Sequence, residues 1–166
     1  CVSDCTALEV DKNFLGPAAL AKSYRFVADP RDDKKDQRLR EMNTSGGVWD
    51  CTRCYMCVEV CPKDVAPMER IVKMRDFAIE EGYTNTSGFR HTESFVESIK
   101  RNGRLDETRL ALESTGLKNI FGLIDLAFVG LKSFIRGKLP PILPHKPDDA
   151  DKVTSLAKRL DNKEDE

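Results

Sequence analysis

Little in this sequence supports chemistry by side chains alone. Of its two histidines, His91 has no metal-ligand partner in the sequence and His145 stands among prolines. Asp and Glu are abundant, yet none forms a recognisable acid/base pair, so no catalytic residue is assigned. The formal net charge is -1, and the basic residues are spread without an aromatic-interleaved patch. Nucleic acid is thereby excluded as the expected partner. No stretch reaches the roughly 20 apolar residues of a membrane span; the nearest, Ile120 to Ile135, is interrupted by Asp125 and Lys132. No segment alternates with period two, which leaves an all-α class. A start at Cys1 without Met reads as a piece of something longer.

What is present is helical periodicity. Phe14 to Asp29 carries Pro17 early and an apolar face of Leu20, Tyr24 and Val27. The charged run from Asp29 to Arg40 predicts a turn and a short helix. A helix from about Val65 to Glu81 places Met68, Ile71, Met74 and Ala78 on one face, with Gly82 as its stop. Tyr83 to Gly88 reads as a linker, so a domain over 1–85 is expected before a helical extension over 86–166. In that extension Thr92 is expected to cap a short helix carrying Phe95, Val96 and Ile99. Asp106 is expected to cap the next, and Asn119 to Arg136, closed by Gly137, is the most apolar helix. That helix either docks a partner subunit, lies on a membrane surface or packs within its own domain. Leu139 to Pro147 holds four prolines and reads as extended. A last helix carries Val153, Leu156 and Leu160, with a disordered tail from about 161.

Four of the six cysteines lie within the eleven residues from Cys51 to Cys61. Their pattern, Cys51-x2-Cys54-x2-Cys57-x3-Cys61-Pro62, is the run that bacterial iron–sulfur carriers use. Short spacers wrap the backbone round a cluster and aim N–H groups at its sulfurs, while the fourth Cys turns away to another cluster. Cys1-x3-Cys5 equals the last two positions of a second such run. The expected wiring follows. Cys5, Cys51, Cys54 and Cys57 hold one [4Fe–4S] cluster; Cys61 and Cys1 belong to a second, with two further ligands upstream of this chain. Zinc also takes four thiolates, but its usual pattern is two well-separated C-x2-C pairs. Disulfides across x2 spacings would be strained. Arg53 and Lys63 flank the run as cations able to raise a cluster potential, or as plain surface charges.

With the cysteines placed, a resemblance is visible. Gly16-Pro17-Ala18-Ala19-Leu20, Tyr24-Arg25-Phe26, Asp29-Pro30-Arg31-Asp32, Gly47-Val48-Trp49-Asp50-Cys51 and Val60-Cys61-Pro62-Lys63 follow one another in order. Together they resemble the C-terminal cluster domain of the iron–sulfur subunit of succinate dehydrogenase and fumarate reductase. The resemblance covers about Cys1 to Tyr83. It implies the α-helical ferredoxin fold and a missing N-terminal domain with a [2Fe–2S] cluster. Common members lack the second Cys of the central run and hold a [3Fe–4S] cluster; Cys54 fills that place here and implies [4Fe–4S]. Quinone-reactive members have C-P and a Trp after the residue matching Cys5, and a His where this chain has Thr52. Cys5-Thr6-Ala7-Leu8 departs from that pattern, which implies that menaquinone is met through a partner.

The C-terminal half is similar to an iron–sulfur subunit of heterodisulfide reductase in Asn102-Gly103-Arg104-Leu105-Asp106-Glu107, Gly130-Leu131-Lys132, Gly137-Lys138-Leu139-Pro140 and Pro144-His145-Lys146. The two halves together resemble enzymes in which a cysteine-rich subunit related to heterodisulfide reductase replaces the usual membrane anchors. The resemblance implies a relay subunit with no catalytic residue of its own. It would pass electrons between an FAD-containing catalytic subunit and a cysteine-rich or membrane-anchor subunit, peripherally on the cytoplasmic side of the inner membrane. The alternatives are an iron–sulfur subunit of heterodisulfide reductase itself, or of glycerol-3-phosphate or glycolate oxidation, and a zinc-stabilised interaction module.

Overall fold

A computed structural model describes residues 1–116, 119–138 and 147–164, without the side chains of 161–164. Among the described residues every element is helical and no strand occurs. The all-α expectation holds. The chain divides into two compact units, Cys1–Thr86 and Ser87–Glu166.

In the first unit α1 (Thr6–Val10), α2 (Gly16–Val27) and α3 (Lys35–Met42) precede a 3-10 turn at Val48–Asp50. The short α4 (Met56–Glu59) and the long α5 (Pro67–Glu80) follow. The core forms where α2 and α5 lie against each other. Leu20 and Val27 of α2 meet Ile71, Met74 and Ala78 of α5, and Ala7, Phe14, Leu39 and Val48 close the cluster. These are the stripes that helical spacing placed on one face of each helix. Tyr24 and Phe77 stack with centroids 6.1 Å apart at the rim. Pro17 and Pro67 open their helices from the first turn, where a missing N–H costs nothing. Gly82 ends α5 at φ +80, with Tyr83 N donating to Ala78 O and Gly82 N to Ile79 O, the paired bonds of a left-handed C-terminal cap.

The charged segment between α2 and α3 is a built turn. Arg31 grips the Asp29 carboxylate through two guanidinium nitrogens at 2.9 and 2.7 Å, and Arg38 donates to Asp32 at 2.6 Å. Those ion pairs hold both carboxyls below the usual carboxylate range.

In the second unit α6 (Ser87–Asn102) packs against both α7 (Glu107–Thr115) and α9 (Ala150–Glu164), and α7 leads into α8 (Ile120–Ile135). Asp106 caps α7 by accepting from Arg109 N at 3.1 Å, and Asn119 caps α8 by accepting from Gly122 N at 3.1 Å. One expectation is corrected. Thr92 caps nothing: α6 starts at Ser87, and the Thr92 hydroxyl donates back to Gly88 O at 3.1 Å from inside the helix. The buried face of α6 is formed by Ser94 and Ser98, while Phe95 and Val96 are exposed. Ser98 faces inward because its hydroxyl joins the α6–α7 turn, donating to Arg104 O at 3.3 Å and accepting from Asp106 N at 2.6 Å. The α9 backbone continues to Glu164, past the expected start of a disordered tail, through Lys163 and Glu164, residues of good helix propensity. The proline stretch, with His145, falls largely on 139–146, outside the described residues.

Candidate metal centre

The loop that carries the cysteine run is positioned by two glycines. A Cβ on Gly46 would sit 2.6 Å from Asn13 O, and one on Gly47 1.9 Å from Met42 O. Only glycine allows the loop this close to the α2 and α3 ends. Gly46 is fixed from both sides: its O accepts from Leu15 N at 2.8 Å and its N donates to Asp50 Oδ2 at 2.6 Å. Trp49 packs against the core and donates its indole N–H to Asn43.

The central fixture is Arg75, on the buried side of α5. Its guanidinium donates to the carbonyls of Val48 (2.9 and 2.7 Å), Trp49 (3.2 Å) and Cys51 (2.8 Å). It also lies 5.1 Å from the Trp49 ring centroid. Burial lowers its pKa to about 10, so it stays a cation at neutral pH. The planar fork thus clamps the three carbonyls through which the chain enters the cysteine run. Periodicity missed it, because a lone Arg on a helix gives no sign of partners more than twenty positions away.

Cys5, Cys51, Cys54 and Cys57 line one cavity, with Ala7, Phe14, Met68 and Ile71 as its apolar wall. Their sulfurs are all free. The Cys57 thiol is pushed up by burial, and the neighbouring Cys51, Cys54 and Cys5 sulfurs add to the effect, while the Met68 backbone N–H opposes it. Cys54 is drawn down by the Thr6 hydroxyl, which donates to its sulfur at 3.6 Å, and by the Met56 amide. Four thiols this close repel one another as thiolates, so the ionised set needs a cationic centre. Among the described residues no three His, Cys, Asp or Glu side chains are grouped to hold a single metal ion. The donor set and the apolar wall fit a multi-iron group.

Cys1 and Cys61 line a different, open pocket, with Lys22, Arg25, Val65 and Arg70. The Cys61 thiol is lowered by backbone amides, the Val65 N–H foremost at 3.4 Å. Arg53 and Lys63 are exposed. Among the described residues the non-glycine positions with positive φ are Arg53, Tyr55, Asp64 and Ala66, all within or just after the cysteine run. Left-handed backbone costs about 1–2 kcal/mol per such residue, and alternation with right-handed residues turns successive N–H groups toward a bound anion. The strain is concentrated where thiolates and inorganic sulfide would need those donors.

Helical scaffold, cysteine spacing and inward amides define an iron–sulfur cluster domain of the electron-transfer class. Residues 1–65 match the model of the 4Fe-4S dicluster domain. The chain is 29% identical over 123 residues to the 8-methylmenaquinol:fumarate reductase iron-sulfur subunit of Wolinella succinogenes, covering 72% of this chain and 38% of that protein. It is 41% identical over 83 residues to the succinate dehydrogenase iron-sulfur subunit of Coxiella burnetii (49% and 35%), and 39% identical over 71 residues to the fumarate reductase iron-sulfur subunit of an Escherichia coli O6:H1 strain (43% and 29%). The chain is thus similar to iron–sulfur subunits of succinate dehydrogenase and fumarate reductase, and it spans little more than a third of the length of these relatives at most. No solved structure matches it.

Proposed function

We propose that this chain is an electron-relay element of a succinate- or fumarate-converting complex, holding no substrate chemistry itself. In this reading Cys5, Cys51, Cys54 and Cys57 hold one [4Fe–4S] cluster, and Cys1 and Cys61 serve a second whose other ligands are not among the six cysteines. Such clusters supply one-electron transfer; the flavin of a partner subunit would supply the two-electron chemistry of the dicarboxylate. The other partner is a membrane-associated subunit through which a menaquinone-type acceptor or donor is reached, a chemistry named for the Wolinella relative. The observation that carries the reading is the partition of the sulfurs: four line one cavity and the remaining two line another.

The protein's own residues do the tuning. Thr6, Met56 and Met68 offer hydrogen bonds to the first set of sulfurs. Lys22, Arg25 and Arg70 surround the second pair with positive charge, which favours the reduced, more negative state of a centre there. The test is iron and sulfide content of the anaerobically prepared chain. One cluster's worth per chain is expected, and more than one full cluster would contradict the wiring. In the assembled complex, Cys54→Ser should alter relay to the membrane partner while dye reduction at the flavin persists. Loss of dye reduction in an intact complex would contradict a pure relay role.

A further inference from the structure

Helix α8 turns an apolar surface outward. Phe121, Phe134 and Ile135 are 84%, 70% and 75% exposed, and Ile120, Phe128 and Leu131 are exposed beside them. The half-buried positions are Gly122, Leu123, Leu126, Gly130 and Ser133. Helical spacing gathers Asp125, Lys132 and Arg136 on one narrow strip at the edge of the outward face. The helix ends cleanly, with Lys138 N donating to Ser133 O and Gly137 N to Phe134 O, both at 2.9 Å. Charge in this part of the sequence is one-sided. Between Glu113 and Asp148 stand Lys118, Lys132, Arg136, Lys138 and Lys146 against the single acid Asp125, in a chain whose net charge is -1.

We propose that α8 lies in the headgroup region of an anionic lipid bilayer, with Phe121, Phe128 and Phe134 at the acyl boundary and Lys132 and Arg136 reaching lipid phosphates. Three arguments favour a lipid surface. At about 1.5 Å per residue, sixteen residues span about 24 Å, short of the ~30 Å hydrocarbon core, so the helix cannot cross. A helix that fits a protein groove presents one stripe of anchors at i, i+3, i+4 and i+7; here apolar residues occupy more than half the circumference. The basic strip matches anionic headgroups, and long basic side chains keep their charge in water while their stems lie along the apolar face. The inference goes beyond the relay reading and does not depend on which dicarboxylate or quinone is involved.

The test is flotation of the full chain with phosphatidylcholine vesicles containing phosphatidylglycerol, against pure phosphatidylcholine. Iron content and helicity by circular dichroism are measured on the same samples. Binding to the anionic vesicles is expected, weakened about 25-fold by the double change Lys132→Ala and Arg136→Ala, at about fivefold per base. Phe128→Ser should weaken it at least tenfold. Phe128 is 68% exposed, so its replacement leaves the packing intact. Absent flotation, or flotation indifferent to both variants, overturns the proposal. So does a lipid-free dimer, seen by light scattering, that Phe128→Ser dissolves while no vesicle binding is found; that result assigns the face to a second copy. Failure of the cluster assignment would appear separately, as altered iron content with vesicle binding unchanged.

Discussion

The two units are built on different principles. In Cys1–Thr86, large apolar side chains such as Leu20, Leu39, Ile71 and Met74 are almost fully buried, and the cysteine cavity sits against that core. In Ser87–Glu166, the buried described residues are Ser94, Ser98 and Ala150, while Leu112, Phe128, Leu156 and Leu160 are exposed. The first unit is packed around its site. The second spends its apolar residues on its surface and holds its turns with hydroxyls and caps. A rigid frame suits a centre whose ligands must not move; an open helical array suits a surface that meets something else.

That contrast can be tested by cutting the same kind of contact in each unit. Ile71→Ala should lose about 3–4 kcal/mol in denaturant unfolding, whereas Leu156→Ala in the second unit should stay within about 0.5 kcal/mol. Similar losses at both positions would end the comparison. Arg75→Met should cost about 2–3 kcal/mol, because the carbonyls of Val48, Trp49 and Cys51 lose their buried donor. Arg75→Lys should not restore it, since an ammonium cannot fork across three acceptors. Asp106→Ala, which removes the α7 cap, should cost about 1 kcal/mol. At the small end, Asp64→Gly should stabilise the cluster-free chain by about 0.5–1 kcal/mol by relieving a left-handed residue at φ +51. Destabilisation instead would show that the Asp64 side chain holds the loop.

Much of the first unit was legible because its signals are local. The stripes of α2 and α5, the proline starts and the Gly82 stop are read within a few residues, and the structure shows each of them. Asp106 was legible as a cap for the same reason. The frame of the site was not. Arg75 reaches back to Val48, Thr6 reaches Cys54, and Arg53, Tyr55, Asp64 and Ala66 are left-handed without glycine. Those are consequences of tertiary closure, which no spacing rule reports. In the second unit the buried face of α6 belongs to two serines while Phe95 and Val96 are exposed, a placement that apolar spacing does not report. Apolar periodicity marks a face that seeks cover, and it does not say whether the cover is the chain itself.

Whether Cys54 joins Cys5, Cys51 and Cys57 around one four-iron cluster can be decided by electron paramagnetic resonance of the intact, oxidised protein. With Cys54 as a ligand there is no native [3Fe–4S] signal, one-electron reduction gives a paramagnetic [4Fe–4S] signal, and a [3Fe–4S] signal arises only after Cys54→Ser. A strong [3Fe–4S] signal in the intact protein would show instead that Cys54 stands outside the cluster.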